Sequence, residues 1–222
     1  MTDTSVSQPL PAQGRGEGPA LVTGDLGLFA GTVLMWSTTW LAIKFQLGVV
    51  DPQVSIVWRF LIAAPLFFLV CKIAGAPVAF PLRTHLRFAA LGALLYSTNF
   101  ILFYNAGHYV VSGLLAVIFS LASLTNIGLT ALFLGERLRP RVVVGALLGL
   151  AGISLMFWHE LDGSLGSGPL IGLGLGFLGC LSFSAGNMIA TRAKQDGISA
   201  LSMNAWGVSY GVAVNSLSLI HI

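Results

Sequence analysis

Apolar positions along this chain gather into seven long runs separated by short polar breaks, at 26–49, 54–73, 86–107, 112–134, 142–158, 170–193 and 200–222. None alternates with period two. Each approaches the roughly 20 apolar residues that a helix needs to cross a bilayer, so each predicts a spanning α-helix. The breaks carry turn chemistry. Asp51-Pro52 places an N-cap and a first-turn proline before the second helix, Arg139-Pro140 does the same before the fifth, and the Gly/Ser/Pro stretch 163–169 is the longest flexible joint. No soluble domain fits between the runs. Residues 1–24 are polar and rich in Pro, Gly, Ser and Thr, which predicts a disordered tail. With a single Arg15 and no short apolar core ahead of a cleavage site, the tail is not read as a signal peptide.

Composition agrees with lipid as the solvent. Apolar residues make up 55% of the 222, and charged ones only 9%, against about 25% in soluble domains. The 27 glycines suit helices that approach closely in a membrane. Charge position then predicts orientation. With the amino terminus in the cytoplasm, the inside holds Arg15, Lys72, Arg83, Arg87, Arg137, Arg139, Arg141, Arg192 and Lys194, and the outside only Lys44 and Arg59. Nine of the 11 bases thus fall inside, as the positive-inside rule requires of a bacterial inner-membrane protein. Cys71 and Cys180 sit within apolar runs and are read as small hydrophobes, with no disulfide or metal spacing.

Residues 36–44 of the first run can be laid on 184–192 of the sixth, a shift of 148. Both copies pass from small or polar residues through an apolar stretch to a base at the helix end, Lys44 or Arg192. Five helices separate them, and an odd number turns the second copy over. This is the pattern of inverted repeats in transporters.

The stretch Phe103-Tyr104-Asn105-Ala106-Gly107-His108-Tyr109-Val110-Val111-Ser112-Gly113-Leu114-Leu115-Ala116-Val117 resembles the join between the third and fourth helices of the EamA repeat of drug/metabolite transporters. Ala131-Leu132-Phe133-Leu134-Gly135-Glu136-Arg137-Leu138, followed by Gly145, Gly149 and Gly152, resembles the most recognisable signature of that repeat, and the Trp36 to Lys44 segment and Arg59-Phe60 also resemble the family. The resemblance implies an all-α integral membrane protein built as an inverted repeat of five-helix units. Ten helices are expected in the full protein and about seven are present here: a first repeat at 25–159 and an incomplete second at 168–222. Ser123 stands where the family commonly has proline. Asn215, Ser216, Ser218 and His221 fall late in the last run, and the chain is read as truncated or mis-terminated. The alternative is a short form completed by pairing with another copy, a homo-oligomer.

Polar residues inside the runs are the candidates for solute contact, because each is expensive in lipid. Trp36, Thr39 and Trp40 share a face of the first helix by i, i+3, i+4 spacing; Tyr96, Asn99 and Phe103 share one on the third; Ser123, Asn126 and Thr130 share one on the fourth. Asn187 occupies the repeat position of Thr39. Arg59 lies about 12 Å into the second helix by helical rise. It is read as a contact for an anionic group, as a stabiliser of the outer gate, or as a snorkelling base that ties helix ends. For Asn99, Asn126 and Asn187, helix-to-helix hydrogen bonding is the competing reading. Lys44 and Glu136 are the gate candidates, against an interface anchor and a loop ion pair respectively. His108 is expected in solvent.

None of the eight acidic residues falls in mid-membrane, which disfavours proton antiport through a carboxylate of this segment. No zinc pair, aspartate pair or nucleophile elbow is present, so an intramembrane enzyme is not expected. No cofactor or metal is called for. Bases spread over loops form no nucleic-acid patch. The expected partners are the lipid bilayer and a small polar solute, zwitterionic or weakly anionic, such as an amino acid, exported by alternating access. A membrane scaffold without transport is the alternative.

Overall fold

The computed structural model describes residues 23–46, 50–135, 140–156, 158 and 167–220. Among these lie seven helices: α1 (Thr23–Gln46), α2 (Pro52–Ile73), α3 (Leu82–Ala106), α4 (Ser112–Leu134), α5 (Pro140–Met156), α6 (Gly168–Gln195) and α7 (Ala200–Ile220). The expected tail, as far as residue 22, and Glu136 lie outside the described residues.

The helices begin and end where their chemistry says. Asp51 caps α2 by accepting the Gln53 N–H at 2.8 Å, with Pro52 in the first turn. Helix α4 closes on Gly135 in the left-handed region at φ 68°. Five helices, α1, α2, α3, α4 and α6, are long and apolar enough to cross a membrane. The other two expected spans are less complete: α5 is an apolar helix of 17 residues, and Ser202, Asn204 and Asn215 dilute α7. Ser202 and Asn215 are buried against other helices, which is what makes a less apolar helix tolerable there. Helix α3 starts one turn earlier than its apolar run. Its first turn carries Arg83, which is exposed.

Contacts divide the chain into two units, one ending at Thr38 and one from Thr39 to Ile222. In the first, the hydroxyls of Thr32, Ser37 and Thr38 donate to the carbonyls of Leu28, Val33 and Leu34 at 2.7–2.8 Å. The polar groups of a helix meant for lipid are thereby satisfied within the helix itself.

The second unit is organised around α3. Its first half packs on α7 and its second half on α6, with α2 beside α7 and α4 beside α6. Glycine sets how closely these helices meet. A Cβ on Gly92 would stand 2.6 Å from the Gly207 carbonyl oxygen and 2.8 Å from the Gly211 nitrogen. Along α6, Gly172, Gly176, Gly179 and Gly186 receive Val110, Ile118, Phe103 and Leu95 in turn. These pairings fix direction. From Gly179 to Gly186 the α3 partner runs backward from Phe103 to Leu95, so α3 and α6 are antiparallel. Helix α4 follows α6 in parallel, from Ile118 beside Gly176 to Phe133, whose carbonyl accepts Arg192 Nη2 at 3.2 Å. Phe88 joins Met203 in one buried cluster and Ser97 meets Asn215 further along, so α7 runs parallel to α3.

Lys72, Arg83, Arg87, Arg192 and Lys194 therefore share one end of the bundle, hereafter the basic end. There Arg87 pairs with Asp196, Trp206 Nε1 donates to Val78 O at 2.9 Å and Ser202 Oγ to Pro77 O at 2.6 Å. The α2–α3 connection is thus pinned to the start of α7.

Gly92→Ala would drive its methyl into backbone rather than a movable side chain. We expect a stability loss of about 1–3 kcal/mol, read as a lowered unfolding midpoint in detergent. Gly149→Ala, which meets nothing within 4 Å, should not lower the midpoint, since alanine favours the helix over glycine.

Candidate solute-binding site

Helix α3 separates the polar residues of the interior into two groups. On its α2 and α7 side, Arg59 Nη2 donates to Tyr104 Oη at 2.9 Å, and the guanidinium lies 5.6 Å from the Phe100 ring and 5.8 Å from the Tyr104 ring. A half-buried arginine is tolerable because the hydroxyl and two aromatic faces replace water. Phe60 packs edge-on to Tyr96 and Phe100 at 5.5 and 4.9 Å, and Tyr96 Oη donates to Asn204 Oδ1 at 2.9 Å. Arg59 and Tyr96 are thereby held in a packed aromatic wall.

On the α4 and α6 side an aromatic layer forms. Trp40 stands 5.5 Å from both Phe103 and Phe119; Phe103 and Phe119 are 5.4 Å apart; Phe119 and Phe183 are 5.0 Å apart. All are tilted or edge-on, the geometry aromatic quadrupoles favour. Each helix that supplies a phenylalanine also carries an asparagine on the same face: Asn99 one turn before Phe103, Asn126 two turns after Phe119, and Asn187 one turn after Phe183. Because α3 runs opposite to α4 and α6, all three offsets point toward the basic end. At 1.5 Å per residue the amides fall about 6, 10 and 6 Å from the aromatic layer. An amide level thus underlies an aromatic one.

Asn99 is the most constrained of the three. It is 6% exposed and lies between Leu95, which meets Gly186, and Phe103, which meets Gly179. Its Nδ2 donates to Leu95 O over a long 3.4 Å, and its Oδ1 is buried without a hydrogen-bond partner. The amide cannot be flipped, because Leu95 O is itself only an acceptor. An acceptor left so costs about 1–3 kcal/mol.

The remaining candidates are placed as follows. Asn126 and Asn187 are half-buried, Ser123 is exposed, and Lys44 is exposed in the last turn of α1. Trp36 lies in the amino-terminal unit and is 47% exposed. Thr39 is half-buried. No group of three or more His, Cys, Asp or Glu is positioned for a metal among the described residues.

Sequence reasoning passed over several buried polar residues. Thr125 Oγ1 and Ser184 Oγ lie 2.6 Å apart between α4 and α6; both reach the Ala122 carbonyl, and Thr125 also reaches that of Cys180. Ser182 Oγ donates to Leu94 O at 2.8 Å, and Asn215 meets Ser97 and Tyr96 O at 2.6 and 3.0 Å. The serines of α6 were legible as neighbours of its glycine stripe. Asn215, read only as out of place in a spanning run, is 1% exposed and bonded through both amide atoms.

Comparison with known proteins adds relatives. Residues 23–158 match the family described as "EamA-like transporter family". The chain is similar to protein PagO of Salmonella typhimurium (strain LT2), 26% identical over 62% of this chain and 45% of that protein. It is 25% identical to an "uncharacterized transporter in trpA 3'region" of Buchnera aphidicola, over 80% of this chain and 58% of that protein. It is 32% identical to an "uncharacterized transporter" of Archaeoglobus fulgidus, over 55% of this chain and 43% of that protein. The chain spans about half the length of the curated relatives it matches. No solved structure matches it.

The Arg59–Tyr104 contact makes a prediction independent of transport. A double-mutant cycle of Arg59→Gln and Tyr104→Phe should give a coupling of about 0.6 kcal/mol, the scale found between membrane helices, in detergent unfolding. Strict additivity would show that the hydrogen bond contributes nothing.

Proposed function

The chain belongs to the EamA-like transporter family, and from that premise we propose that it carries a small polar metabolite, such as an amino acid or related compound, outward across a bacterial inner membrane. The amino terminus is cytoplasmic in this reading, and access alternates between two inverted repeats of which this chain holds the first and the opening of the second. A multi-pass helical membrane protein is the setting that the fold and the relatives supply.

The observation that carries the reading is the unpaired Oδ1 of Asn99, at the amide level beside the aromatic layer. A solute that brings an N–H or O–H donor relieves that cost, and Asn126 and Asn187 extend the same level with further donors and acceptors. Trp40, Phe103, Phe119 and Phe183 would close it on the side away from the basic end. Arg59 then acts as a tether of the aromatic wall, with Tyr96 beside it. Trp36, Thr39 and Ser123 remain proposed contacts, and Lys44 and Glu136 proposed gate residues.

Inside-out vesicles bearing the product of the full-length gene, supplied with a labelled panel of amino acids and related amines, should accumulate at least one of them. Asn99→Leu should cut the initial rate about tenfold or more, since an apolar isostere removes the acceptor that a bound donor would use, while Leu148→Ala, on an exposed face, should not. Accumulation of nothing, or full activity in Asn99→Leu, would overturn the reading.

A further inference from the structure

Residues Leu94–Thr98 form a single π turn in the middle of α3, and three features converge on it. It stands where α3 changes partners, from α7 before it to α6 after it. Its carbonyls are taken by side chains as well as by the ladder. Leu94 O accepts the Asn99 N–H and Ser182 Oγ of α6, Leu95 O accepts Asn99 Nδ2, and Tyr96 O accepts Asn215 Nδ2 of α7. Ser97 Oγ completes the tie by donating to Asn215 Oδ1 at 2.6 Å. One residue at the end of the turn, Asn99, keeps a buried acceptor unpaired and its donor on a 3.4 Å bond.

A π turn holds one more residue than an α turn and is a frequent device at functional positions. In lipid its loosened carbonyls need partners from elsewhere in the protein. Here those partners come from two different helices, both carboxy-terminal in sequence to the whole of α3.

We infer that the π turn of α3 is a two-state hinge, latched in this conformation by Asn215 of α7 and Ser182 of α6, which act as positioning residues for Asn99. Return of the turn to the α register passes the Asn99 N–H from Leu94 O to Leu95 O. The second half of α3 then rotates by about 100° and advances about 1.5 Å relative to the first. Asn99, Phe103 and Tyr104 ride on the moving half. Gly92, locked against Gly207 and Gly211, keeps the first half on α7. The inference rests on the transport reading only for its purpose. Spin-label distances read the hinge whether or not a solute moves, so failure of the vesicle assay and failure of the hinge are separable.

The test uses the full chain in liposomes with Cys71→Ala and Cys180→Ser. One nitroxide pair at Trp58→Cys and Asn105→Cys spans α2 and the moving half. A second at Leu86→Cys and Ala200→Cys spans the fixed half and α7. A rotation of about 100° at a helix radius of about 5–6 Å carries a side chain about 8 Å. Asn215→Leu or Ser182→Ala should raise the population of a second Trp58/Asn105 distance several-fold and leave the Leu86/Ala200 distribution as it was. Ser182→Ala serves where Asn215→Leu does not fold. An unchanged Trp58/Asn105 distribution in each variant that folds, or equal broadening of both pairs, would overturn the hinge.

Discussion

A helix in hydrocarbon must find every hydrogen-bond partner inside the protein, and in this molecule that constraint falls hardest on α3. Flanked by α6 on one half and α7 on the other, α3 buries Ser97 and Asn99 at its central turn. Close approach depends on glycine at Gly92, Gly179, Gly186, Gly207 and Gly211. The spacing that results brings Ser182 and Asn215 within reach of α3 carbonyls. Packing and polar satisfaction are therefore one arrangement: with the helices further apart, the π turn would lose the partners that make it tolerable.

The layering of the interior follows from helix direction. Aromatic rings on α1, α3, α4 and α6 meet in one layer because their helices cross at a common depth. The amides of Asn99, Asn126 and Asn187 all fall toward the basic end because α3 is antiparallel to the other two. Arg59 belongs to a different structure, the wall of Phe60, Phe100 and Tyr104 on the opposite side of α3.

Much of this was legible in the chain. Asp51-Pro52 marked a helix start, and the apolar runs marked the helices to within about a turn, because lipid imposes length and apolarity on each segment separately. Partner choice was not legible. Nothing in the local pattern around Asn215 says that it will bond Ser97 and Tyr96 O, because that contact depends on two helices far apart in sequence. The face of α4 was read from i, i+3 spacing as Ser123, Asn126 and Thr130, whereas the hydroxyl buried against α6 is Thr125. Periodicity identifies a face but not which of two polar faces meets a neighbour. The π turn was invisible for a related reason: Leu94-Leu95-Tyr96-Ser97-Thr98 is an ordinary helical sequence, and only the surrounding donors hold it wide.

The parallel alignment of α4 with α6 supports the amide level and the aromatic layer together, and disulfide formation tests it directly. With Cys71→Ala and Cys180→Ser in the background, Thr125→Cys/Ser184→Cys replaces hydroxyls 2.6 Å apart, close to the geometry a disulfide needs. Mild oxidation in membranes should join α4 to α6, seen as two fragments held together after cleavage at a protease site placed within 159–166. The pair Thr125→Cys/Leu175→Cys, offset by more than two turns, should stay separate. Efficient bridging of the offset pair, with none at 125 and 184, would contradict the alignment on which the proposed solute site stands.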